Sequence, residues 1–80
     1  MTKQDLVAMW VNLKKQGVLP YSDGNYALVI PAKVFIDIEK EVGYVNITHP
    51  LNPPKYPFVK DSKTRYQGIV LGFHVWTTEE

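Results

Sequence analysis

His49 and His74 are the side chains of this chain best suited to move a proton or hold a metal, and neither has suitable company nearby in sequence. A helical metal pair puts its ligands three or four positions apart on one face, whereas these two fall on different segments. The chain has no cysteine, which excludes a thiolate nucleophile, a zinc ribbon and any disulfide. Ser22 and Ser62 both read as turn residues outside a G-x-S-x-G elbow. General acid–base work needs a carboxylate or imidazole in an apolar pocket, but the acids here fall on the solvent sides of helices, in turns or in the tail. The expectation is therefore no catalytic residue, no metal ligand, no cofactor and no small-molecule substrate.

Two other chemistries can be weighed. Where a strand hands over to a helix, free backbone N–H groups on a glycine-rich turn can hold an anion. Here that junction is Val29-Ile30-Pro31-Ala32, without glycine and with one N–H deleted by proline, so it reads as architecture. Lys55, Tyr56, Lys60, Lys63, Arg65 and Tyr66 interleave cations with aromatics, as single-strand nucleic-acid binders do, and form the candidate interaction surface. The net charge is only +1, a small electrostatic footprint for a polyanion. Contact with another protein is favoured over nucleic acid.

The elements that must carry these residues can be read from periodicity. Thr2 and Asp5 form a capping box with the shorter acid, opening a helix over about Lys3 to Gln16 that Gly17 closes. Leu6, Met9, Trp10 and Leu13 make its apolar stripe, with Trp10 packed in the core and its indole N–H at the boundary. Tyr21 to Asn25 is turn chemistry, with Asp23 able to bond its own backbone. Tyr26 to Ile30 is a strand without alternation, which suggests cover on both faces. Pro31 starts a second helix running to Val42, with Val34, Phe35, Ile38 and Val42 facing inward. Tyr44 to Thr48 reads as a short strand. Pro50, Pro53, Pro54 and Pro57 forbid helix and central strand, leaving an extended surface loop. Ile69 to Thr77 reads as one closing strand, with Ile69, Leu71, Phe73 and Val75 on one face and Val70, Gly72, His74 and Trp76 on the other; Gly72 would mark a bulge or a place where something packs close to the backbone.

With 80 residues, 45% of them hydrophobic and 21% charged, there is room for one core and no reason to expect disorder. The N-terminal segment has an acid and interrupted apolar positions and does not read as a signal peptide, and no apolar run is long enough for a bilayer span. The fold class expected is α+β over residues 1–80: two helices on a sheet of about three strands, the first and last strands adjacent in its middle, with a Pro-rich surface loop. Leu6, Trp10, Leu13, Leu28, Ile30, Val34, Phe35, Ile38, Ile69, Leu71 and Phe73 should form the core.

In order along the chain, "NLKKQGVLP", "DGNYALVIPAKVFIDIEKE" and "YQGIVLGFHVWTTEE" resemble the C-terminal half of tailed-phage major capsid proteins. Tyr26, Pro31, Gly68, Gly72 and Phe73 occupy the matching positions of that family's tyrosine–proline strand and its glycine-spaced closing strand. Coat subunits are several times longer and carry a spine helix and an extended loop, neither of which is present here. The resemblance implies an axial-domain-like segment of a coat protein, in a virion or the host cytoplasm. It would act by contacts between identical subunits, without catalysis. The alternative is a small phage or bacterial protein-binding module, a host inhibitor or an adaptor.

Overall fold

The computed structural model describes residues 2–52, 54–55 and 64–78. Helix α1 spans Lys3–Lys15, strand β1 Tyr26–Pro31, helix α2 Ala32–Val42, strand β2 Arg65–Val70 and strand β3 Phe73–Thr78, with a 3₁₀ turn at Tyr44–Asn46. This is the α+β plan of two helices and a three-stranded sheet. The strand order is β1-β3-β2, so the last strand lies in the centre. β1 runs parallel to β3 and β2 antiparallel to it.

Local chemistry explains the helix limits. Thr2 Oγ1 accepts from the Asp5 N–H at 3.2 Å, and the Asp5 carboxylate accepts from the Thr2 N–H at 2.7 Å, a reciprocal cap satisfying two otherwise unpaired donors. The Lys3 N–H reaches Glu41 Oε1 at 3.1 Å and ties the start of α1 to the end of α2. Pro31, at φ −62° and ψ 149°, sits one position before the first helical residue of α2 and serves as its N-cap.

The helices cover one face of the sheet. Tyr26, Leu28 and Ile30 of β1, Phe73 and Val75 of β3 and Val70 of β2 point into the core, where they meet Leu6 of α1, Phe35 and Ile38 of α2 and Ile47. Met9, Trp10, Leu13, Val34 and Val42 pack at its margin. β1 alternates buried and half-buried residues, so it is not equally covered on both faces; its uniformly apolar composition concealed that alternation.

Two expected elements are different. Tyr44–Asn46 forms a 3₁₀ turn, because the Asn46 N–H returns to the Gly43 carbonyl at 3.0 Å and the Asn46 side-chain amide donates to the Val42 carbonyl. Only Thr48, from the expected short strand, pairs with the sheet, by a bridge to Ile69. The closing segment is a hairpin, with Leu71 at φ 49° and Gly72 at φ 86° making the turn between β2 and β3. Two successive positive φ values give the twist that tight antiparallel hairpins need. The turn reverses the side-chain phase, so Val70 is buried while Ile69 is only half-buried and Leu71 is exposed. The bulge lies between Tyr66 and Gly68, whereas at Gly72 the alternative, close packing on the backbone, is found: a Cβ there would lie 2.6 Å from the Trp10 ring. In the bulge Gln67 is the extra residue, and its amide donates to Thr77 Oγ1 at 2.9 Å.

Candidate functional site

The second face of the sheet carries the only cluster of interacting polar side chains seen among the described residues that joins distant parts of the chain. The register sets His74 opposite Ala27 and Ile69, and Trp76 opposite Val29 and Tyr66. His74 is 2% exposed and Trp76 4% exposed. Placing an imidazole in the central strand forces both ring nitrogens to find partners, since an unpaired buried polar atom costs about 1–3 kcal/mol. His74 Nε2 lies 2.7 Å from Asp23 Oδ2, and its Nδ1 lies 2.8 Å from the Tyr66 hydroxyl. An ionised carboxylate can only accept, so Nε2 carries the proton; in the neutral ring, Nδ1 accepts from the Tyr66 O–H.

Each partner is positioned by its own element. Asp23 is held in the turn before β1, where Oδ1 accepts from the Asn25 N–H at 3.0 Å and the Gly24 N–H donates to the Tyr21 carbonyl at 2.8 Å. Tyr66 stands on β2 beside Trp76, with ring centres 5.2 Å apart. Tyr21 closes over His74 edge-on, at 5.2 Å and 88° between planes, and its hydroxyl reaches the Lys55 carbonyl at 3.4 Å. The cluster thus fastens the 21–25 turn to the sheet, and Tyr21 extends it to the Lys55 backbone.

Charge follows the same geometry. Partial burial works against the Asp23 carboxylate, but the bonds from the Asn25 N–H and from His74 outweigh it and hold its pKa below the ordinary 3.8. Burial, then the Asp23 charge, raises the Tyr21 hydroxyl above 10.0; burial, then Asp23 and Tyr21, raises that of Tyr66. A depressed acid contributes stability above its unfolded pKa and loses it as pH falls through the folded value. A raised phenol contributes below its unfolded pKa and loses it as pH rises through the folded value. All three contributions are therefore present together between about pH 4 and pH 10. Asp23→Asn should lower the melting midpoint near neutral pH. The deficit should shrink as pH falls below about 4, because the parent then loses the same charge. A deficit that is constant with pH would show that the carboxylate charge contributes nothing.

An Asp–His–Tyr chain can in principle pass a proton, but here both imidazole nitrogens are occupied and the ring is sealed from solvent. The phenol at its end is made harder, not easier, to ionise. An apolar groove of about 480 Å³ is lined by Leu13, Val18, Leu19, Pro20, Tyr21, Tyr26 and Ala27, with no titratable group but tyrosine on its wall.

Of the candidate interaction residues, Lys55 and Arg65 are exposed and Tyr66 is half-buried, its hydroxyl committed to His74. Tyr56, Lys60 and Lys63 lie outside the described residues. His49 is exposed and rests against the Tyr44 ring at 5.6 Å. Asp23, expected to be a solvated turn acid, instead spans to a residue far along the chain. Its own backbone bond was readable from the turn motif. The partner in β3 could have been suspected only from a histidine that alternates with Trp76 in an otherwise apolar strand. The chain matches no protein-family model, no curated protein and no solved structure.

Proposed function

We propose that this chain is a structural domain that works through contacts between subunits, in the manner that its resemblance to tailed-phage coat proteins implies, and not through turnover. The observation that carries the reading is the distribution of chemistry over the surface. The polar cluster at His74 is closed and internally satisfied, while large apolar side chains stand in solvent: Leu19 is 88% exposed, Val45 91%, Leu51 96% and Tyr44 66%. Apolar side chains left out of the core of so small a domain are surface available for burial by association. The order helix, turn, strand, proline, helix and closing glycine-turn hairpin is also compatible with the resemblance. A protein-binding module directed at a host partner uses the same surface and is the alternative.

Self-association separates the two. Leu19→Ser, Val45→Ser and Leu51→Ser, made singly, should each melt within about 2–4 °C of the parent, since exposed substitutions change stability by only about 0.5 kcal/mol. At least one of them should weaken concentration-dependent association about tenfold, which corresponds to roughly 1.4 kcal/mol of contact. If none does, the exposed apolar residues are not subunit contacts.

A further inference from the structure

The two edges of the sheet are treated differently. β2's outer edge is closed: the Ile69 N–H donates to the Thr48 carbonyl at 2.7 Å and the Thr48 N–H to the Ile69 carbonyl at 3.0 Å. A Cβ at Gly68 would lie 2.7 Å from that same Thr48 oxygen, so the covering segment is seated tightly. The bulge at Gln67 and the charged Arg65 add two further protections of the kind that keep edges from pairing. β1, the other edge, has none of these within Tyr26–Ile30.

Its hydrogen-bonding sense can be worked out. The Tyr26 N–H donates to the Gly72 carbonyl at 2.9 Å, on the β3 side. In a parallel ladder alternate residues turn both main-chain groups to the same neighbour. Leu28 and Ile30 therefore also face β3, and the N–H and C=O groups of Ala27 and Val29 point outward from the edge. Among the described residues nothing is bonded to them there.

We propose that this edge pairs with the same strand of a second copy, antiparallel about a two-fold axis through Leu28, to give a continuous six-stranded sheet. The inference takes the subunit-contact reading as its starting point and names the surface and the partner. Two observations favour a second copy over a foreign peptide. Ala27 and Val29 flank Leu28 symmetrically, so each meets the other's counterpart and roughly four hydrogen bonds close. The strand carries no charge of its own to repel its image. The apolar groove beside Ala27 lies where the second copy's Pro31–Ala32 corner would arrive.

Amide hydrogen exchange on the unmodified chain, read residue by residue over a dilution series, tests this without any mutation. The Ala27 and Val29 amides should be protected at high concentration and lose at least about tenfold in protection on dilution, because in the monomer they face water. Val29→Lys puts a cation on the edge in both copies and should raise the dimer dissociation constant about tenfold or more. An oligomer in which these two amides exchange freely, or one indifferent to Val29→Lys, overturns the edge assignment and leaves the subunit-contact reading standing. A chain that stays monomeric overturns both.

Discussion

Phe73→Ala should remove about 3–5 kcal/mol of folding stability, the cost of emptying a large aromatic site in a packed core. A domain of this size holds only about 4–12 kcal/mol in total, so the variant should melt far below the parent or fail to fold at moderate temperature. Phe73 is 0% exposed and opens the central strand, opposite Tyr26 on one side and Val70 on the other. Its ring lies 6.4 Å from that of Tyr26, and Leu6 and Ile38, both 0% exposed, belong to the same cluster. Leu71→Ala, two positions earlier, should cost less than about 1 kcal/mol, because that side chain is in the turn and outside the core. Equal losses at the two positions, measured by denaturant unfolding, would mean that residues 69–77 form one straight strand.

Gly72→Ala should be nearly as damaging for a different reason. The residue adopts φ 86°, and a Cβ there would lie 2.6 Å from Cδ1 and 2.7 Å from Nε1 of Trp10. The backbone term is about 1–2 kcal/mol for a non-glycine residue in this region, and crowding adds about 1–3 kcal/mol. Trp10 cannot move away freely, since its indole is edge-on to Tyr26 at 6.1 Å and is covered by Lys14 Nζ at 4.8 Å. Its Nε1 is buried against the turn without a hydrogen-bond partner among the described residues, a sign of how closely helix and hairpin meet. In a Trp10→Leu background Gly72→Ala should cost only the backbone term, leaving a coupling of about 1–3 kcal/mol between the sites. Strict additivity would place Trp10 away from the turn.

These two residues also show how far the residue pattern reached. The helices were readable because their caps and stripes are local: Thr2 with Asp5, and Phe35 with Ile38, are each settled within one or two turns of chain. The hairpin was hidden because Leu71 is an apolar residue in a position that usually takes Asn or Gly. Without a polar turn signal, Ile69 to Thr77 kept an unbroken alternation, and the missed reversal exchanged Val70 for Ile69 and Leu71 in the expected core. The Tyr44–Thr48 segment has strand-forming residues, but Gly43 and the side chain of Asn46 close a turn first. At the site, the turn at Asp23 was local and readable, whereas its bond to His74 depends on which strand takes the centre of the sheet. That order is a matter of tertiary packing, and with it went the distinction between a free turn aspartate and one that clamps a buried histidine.

The proposal as a whole depends on surfaces meeting surfaces, and sedimentation equilibrium of the unmodified 80-residue chain over a wide concentration range addresses it head-on. The average mass should climb from 9.2 kDa toward at least twice that value as concentration rises. A mass fixed at 9.2 kDa up to the highest soluble concentration would contradict it.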